Sequence, residues 1–332
     1  YLDSDIKEDY EVIPSSTVVD FVAPAEASLE NYPSSYDLRD VNGNNYVTSV
    51  KNQGSEGLCW AYAANSYLES IMLMNEGKTY DFDEHQLDYA TATDGMLNPE
   101  QLYKRFGLTN ERKLNTGSWF SGPEEVILDS LGMVSQSWTD AHYEAIKNGK
   151  MLPAGDVYDF SASEYQIDTS YHYSRLDYAT ASENDKTIYL NSIKSAIING
   201  GAYIESSSPG GDCSVRIGNN MLVYNNGYCD GGSHAMHIIG WDDDFEYKFC
   251  VSDDKKHYSR DVSNCSSTNL VSNKGAWLIK NSWGDTYSYS YIAYASKSTN
   301  ILSINSLSKR DWDNFYTDTT GTEITKPTNT LE

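Results

Sequence analysis

No stretch of this 332-residue chain approaches the roughly 20 consecutive apolar residues that a membrane-crossing helix needs. No basic-then-apolar leader stands at Tyr1, although the chain does not begin with Met and a leader removed earlier would leave such a start. No internal repeat is found. Basic residues are few, with 24 Lys and Arg against 48 Asp and Glu, for a formal net charge of −24. So acidic a chain repels phosphate backbones and anionic membranes, which excludes nucleic acid as a partner and favours solubility. Hydrophobic residues make up only 39% of the chain, yet 27 tyrosines add apolar area whose hydroxyls suit partly wet positions, so a globular core remains within reach. The length allows one large or two ordinary domains.

Cysteine is also sparse. Cys59 stands alone in the first half, whereas Cys213, Cys229, Cys250 and Cys265 cluster in the second. Four cysteines allow three pairings, and sequence proximity suggests Cys213–Cys229 and Cys250–Cys265. Disulfides there would mark an exported protein; reduced thiols remain the alternative.

Periodicity divides the chain. Residues 51–150 read as mainly helical. From Cys59 through Tyr62, Ala63, Ser66, Tyr67, Ser70 and Ile71 to Met74, three- and four-residue spacing marks one helix face. Gly122-Pro123-Glu124 opens a second helix, with Pro in its first turn. Ile188 to Ile198 reads as another amphipathic helix. Residues 151–300 are richer in strands, at Ala202–Glu205, His234–Trp241, Ala276–Lys280 and Tyr289–Tyr294.

Three separated segments carry the chemistry. Cys59 opens a helix, where the N-terminal dipole favours a thiolate, the reactive form of the group. An imidazole at His234 would assist it and later protonate a leaving amine. The amide oxygen of Asn281 would fix the tautomer of that ring, and Trp283 would shield their hydrogen bond. Gln53, six residues before Cys59, would join the Cys59 backbone N–H in an oxyanion hole. His237 competes with His234, but three residues apart on a strand the two rings face opposite ways. Ser233 precedes the chosen histidine at the strand's edge.

Gln53-Gly54-Ser55-Glu56-Gly57-Leu58-Cys59-Trp60, Ser233-His234-Ala235 and Lys280-Asn281-Ser282-Trp283-Gly284, in that order, resemble the papain-like cysteine peptidases. The resemblance runs from about Tyr32 to Ser296, beginning at Tyr32-Pro33-Ser34-Ser35-Tyr36-Asp37. It includes Phe82-Asp83-Glu84-His85-Gln86-Leu87, where Asp83 suits a helix N-cap. Trp241-Asp242-Asp243 resembles bacterial surface members in particular. The chain departs from the family where Glu56, Ala90 and Leu114 replace expected half-cystines, and where Leu58 replaces a small residue.

The resemblance implies an α+β, papain-like fold of two subdomains, a helical left half and an antiparallel sheet or barrel on the right, with a cleft between. It implies a cysteine-type endopeptidase acting on protein or peptide substrates through an acyl-thioester at Cys59, without cofactor. Gly117 and Ser118 match the family's substrate-binding segment, and Ser233 and Trp283 join them as substrate-binding candidates. The expected organisation is an extension or pro-segment remnant at 1–31, a peptidase domain at 32–305 and a tail at 306–332 that leads toward a further module. The extension is either an autoinhibitory segment or a surface tail. The acidic run Asp242-Asp243-Asp244 lacks calcium-loop spacing and reads as a solvated turn, so no metal is expected. A secreted or cell-surface bacterial protein, monomeric, is the expectation. Acyl transfer to an amine, or an adhesion module that retains the fold, are the alternatives.

Overall fold

The computed structural model describes residues 17–21, 31–92, 112–118, 134–157, 165–173, 176–229, 233–297 and 300–309. The helix expected from Gly122 and nearly all of both terminal segments lie outside those residues. The chain divides into two compact units, one of residues 19–80 and 171–304, the other of residues 1–18, 81–170 and 305–332. Strands β1 (Thr17–Phe21) and β3 (Tyr165–Tyr173) straddle that division.

The larger unit is built on helix α1 (Cys59–Glu76). Ala61, Ala63, Ala64, Leu68 and Met72 give it good intrinsic helicity, and every residue from Trp60 to Met72 is buried. Burial on all sides is the mark of a central helix rather than a surface one. Gly77 ends it in the left-handed region, φ 65°, and donates to the Leu73 carbonyl at 3.0 Å.

Around α1 runs an open, mostly antiparallel sheet. Its strands are β2 (Ser35–Asp37), β4 (Ala202–Ser207), β5 (Ser214–Ile217), β6 (Asn220–Val223), β7 (Ser233–Val251), β8 (Tyr258–Ser259), β9 (Leu270–Lys280), β10 (Tyr289–Ala293) and β11 (Asn300–Lys309). Within this unit the order is β11-β4-β7-β9-β10-β6-β5, with β2 and β8 also paired to β7; the β10–β6 pair is parallel. Strand β7 has 19 residues and alternates its faces. Met236 and Ile238 enter a core with Ile193 and Ile197 of the next helix, together with Ile204 and Trp277. His237 points the other way, onto Ser66 and Tyr67 of α1. Two disulfides, Cys213–Cys229 and Cys250–Cys265, close short loops with Cα separations of 5.7 and 5.6 Å. Cys59 is the free cysteine.

The other unit carries three helices besides its parts of β1, β3 and β11. It contains α2 (Glu84–Thr91), α3 (Ser137–Lys147) and α4 (Ala154–Val157); α5 (Glu183–Ile198) belongs to the first unit. Asp83 caps α2 by accepting from the Gln86 N–H at 2.8 Å, and its second oxygen accepts from the Thr139 N–H at 2.8 Å. One carboxylate thereby fixes two helix starts. Arg112 pairs with Asp88 at 2.7 Å and donates to the Thr116 carbonyl at 2.9 Å, which shapes the loop bearing Gly117.

The acidic run differs from the solvated turn expected of it. Strand β7 continues through Asp242 to Asp244 across an irregularity between Asp242 and Glu246, and Asp243 and Asp244 are paired with Lys194 and Lys274. Pairing with β9 on either side, at Asp242 and at Glu246, carries the strand across the run, and the lysines answer the charges.

Gly201 shows how tightly the chain entering β4 meets β7. Its φ is +112°, and a Cβ there would lie 2.1 Å from His237 Nε2 and 2.5 Å from the Ile238 carbonyl. Gly201→Ala is expected to cost about 3 kcal/mol from overpacking and left-handed strain together, read as a lower urea midpoint at unchanged slope.

Candidate active site

The larger unit brings Gln53, Cys59, His234 and Asn281 into one hydrogen-bonded neighbourhood. Cys59 is the first residue of α1, after Leu58, whose side chain makes no cap bond. The Ala61 N–H turns back to the Leu58 carbonyl at 2.9 Å. The backbone N–H groups of Ala235, the residue after His234, and of Trp60 favour the thiolate of Cys59, so the sulfur lies near the strand that carries the imidazole.

His234 is the second residue of β7 and is 4% exposed. Its Nε2 lies 2.8 Å from Asn281 Oδ1. The Asn281 amide is oriented by its neighbour: the Ser282 N–H can only donate, and it donates to the same Oδ1 at 2.8 Å. Hence Nε2 of the ring carries the hydrogen, and Nδ1 is left for the thiol side. Trp283 stacks on the imidazole, with centroids 4.6 Å apart and planes 27° apart. Asn281 Nδ2 is buried without a hydrogen-bond partner among the described residues, a cost accepted in holding the oxygen toward the ring.

Gln53 is pinned from both ends. Its backbone N–H donates to the Ser282 carbonyl at 2.8 Å, and the Ser282 hydroxyl donates to Gln53 Oε1 at 2.5 Å. Nε2 donates to the Glu56 carbonyl at 2.7 Å, which assigns the amide nitrogen to that side and leaves its second hydrogen available. The sequence reading assigned no role to Ser282; its hydroxyl next to Asn281 was the available signal. Beneath the site lies a group of buried ions that the sequence reading also missed. Glu69, with a 1% exposed side chain, meets Lys51 Nζ at 3.0 Å and accepts from the Thr48 hydroxyl at 2.6 Å, while Lys280 Nζ donates to Thr48 at 3.0 Å. This ties α1 to the residues flanking both Gln53 and Asn281.

Burial sets the electrostatics. It pushes the Cys59 thiol above its ordinary value, against the backbone N–H bonds that lower it. It pulls His234 down, with the Asn281 bond opposing. Each shift, taken by itself, favours the uncharged form of its group. His237 is fully buried between the Ser66 hydroxyl at 3.0 Å and the Gly200 carbonyl at 3.0 Å. Burial first, and Lys280 second, hold its pKa at about 3, so it remains neutral.

Ser233 is exposed at the start of β7, and Trp283 is half-buried. Gly117 and Ser118 lie in the other unit; Gly117 is exposed, with open space where a side chain would begin.

Residues 32–91 match the sequence profile of the family described as "Papain family cysteine protease". The chain is 32% identical over 109 residues to the "Cathepsin L-like proteinase" of Fasciola hepatica, covering 30% of this chain and 32% of that one. It is 23% identical over 285 residues to the "Probable cysteine protease RD19B" of Arabidopsis thaliana, covering 84% of this chain and 62% of that one. The chain thus spans less than two thirds of either relative. Its fold is shared with the clostridial cysteine protease Cwp84 after propeptide cleavage, at TM-score 0.55 and 20% identity over 85% of this chain and 60% of that one. A structure of the protease and lectin-like domains of Cwp84, described as a surface layer associated protein of Clostridium difficile, gives TM-score 0.56 at 20% identity, over 86% of this chain and 54% of that one. Residues 32–91 thus resemble the papain family of cysteine proteases, and the chain shares the fold of the clostridial protease.

Proposed function

We propose that the chain is an exported, bacterial, papain-like endopeptidase that hydrolyses peptide bonds through an acyl-thioester at Cys59. One arrangement supports this most: an imidazole oriented by Asn281 and covered by Trp283, on the strand whose next residue, Ala235, acts electrostatically on the Cys59 thiol. His234 Nδ1 takes the Cys59 proton as the sulfur attacks the substrate carbonyl. The oxyanion that forms accepts from the Cys59 N–H and the second hydrogen of Gln53 Nε2. The imidazolium protonates the leaving amine, and a water activated by the same ring then hydrolyses the thioester. Ser233 and Trp283, beside His234 in sequence or in ring contact with it, are the substrate-binding candidates of this unit, and Gly117 and Ser118 are proposed as substrate-binding residues from the sequence resemblance alone. Two disulfides suit an oxidising compartment, and the Cwp84 likeness suits a bacterial surface.

An epoxide directed at thiols should label the chain once, at Cys59, and Cys59→Ala should abolish both labelling and peptide turnover. Labelling elsewhere, or residual turnover near the parent's, would refute the assignment.

The pH dependence follows from the two shifts. The pair works while it holds one proton, so activity is lost below the lower macroscopic pKa and above the upper one. His234 is lowered from 6.5 and Cys59 raised from 9.0. The kcat/KM profile should therefore be a broad bell, with half-maxima below 6.5 and above 9.0. A narrower bell would contradict the dominance of burial.

Gln53 meets charge that exists only in the transition state. Gln53→Ala should lower kcat by about 10²–10³ while leaving alkylation by a haloacetamide nearly unchanged, since alkylation forms no oxyanion. Parallel loss of both rates would instead give Gln53 a role in supporting the thiol.

A further inference from the structure

Near the middle of β7, at Asp243, the larger unit holds a cavity of about 760 Å³. One wall is a stripe of α5 with Glu183, Lys186, Leu190 and Lys194 at three- and four-residue spacing. The loop bearing Tyr178 forms a second wall, and the residues after β10 with Asn273, Lys274 and Gly275 of β9 form the third.

The walls are fixed rather than loose. Lys194 has a 6% exposed side chain and donates to both oxygens of Asp243, at 2.8 and 2.7 Å. The Tyr294 hydroxyl donates to Asp243 at 2.8 Å. Gly275, at φ +92°, makes room for that tyrosine, since a Cβ there would lie 2.4 Å from the Tyr294 ring.

The chemistry of the lining restricts its ligand. Of the four lining lysines, Lys194, Lys186 and Lys274 are answered by Asp243, Glu183 and Asp244. An anion would meet Asp243 and Glu183, and a cation would meet the lysines. An apolar ligand would strip water from donors and acceptors that it could not replace. What remains is a neutral ligand rich in both donors and acceptors, with C–H faces for the partly exposed Tyr32, Tyr178 and Tyr224. The volume lies in the range of ligand sites, about 300–1,000 Å³.

We infer that this cavity is a saccharide-binding site, separate from the catalytic residues and independent of whether the chain is a peptidase. The test is calorimetric titration of the full chain carrying Cys59→Ala with cellohexaose, maltohexaose and N-acetylchitohexaose, and with an uncharged Ala-Gly decapeptide. At least one hexasaccharide should bind with Kd below about 1 mM. Tyr178→Ala, which removes a ring, and Asn273→Ala, at an exposed position, should each weaken it about tenfold with unchanged melting temperature. No saccharide binding, binding unaffected by both variants, or binding of the decapeptide that Tyr178→Ala weakens, would each overturn the proposal.

Discussion

The register between β7 and β9 decides where the site's groups stand. It pairs Ile238 with Ile279 and His237 with Lys280. Carried three residues further, it sets Trp283 opposite His234 and Asn281 diagonal to it, so ring stacking and the His234–Asn281 hydrogen bond arise from one geometry. A slip of one residue would send the imidazole to the opposite face. On its other side β7 pairs with β4, Ala235 opposite Glu205, which buries the strand centrally and stiffens the backbone amide that reaches Cys59.

Removing water from this region has opposing effects. It strengthens each hydrogen bond among Gln53, Ser282, Asn281 and His234. It also opposes charge on the thiol and the imidazole, the groups that the proposed covalent chemistry would charge. The fixed ions are displaced one layer below, where Glu69, Lys51 and Lys280 satisfy one another and Thr48. Breaking such a buried set by removing one partner is costly, which makes it an anchor between α1 and the two flanking segments.

Much of the local structure was legible in the chain. The three- and four-residue spacing after Cys59 became α1, extended to Glu76 by a glycine cap. Asp83 caps α2, because capping is a contact of three residues' span. The strands at Ala202, His234, Ala276 and Tyr289 all form, although β7 runs ten residues beyond Trp241. That extension was hidden because the acidic run looks unsuited to a strand until Lys194 and Lys274 are brought beside it by distant segments.

The sequence by itself determined the kinds of groups available and their order, Gln53, Cys59, His234 and Asn281, each within a short motif whose chemistry is local. Strand alternation also determined that His234 and His237 must face apart. Only tertiary structure decided which of them meets Asn281, since period two separates faces without naming them; packing of α1 onto β7 took His237 into Ser66 and Gly200. The two disulfides join the cysteines that sequence proximity suggested, whereas the hold of Ser282 on Gln53 and the burial that acts on the thiol and imidazole depend on contacts between residues far apart in the chain and on the water those contacts exclude.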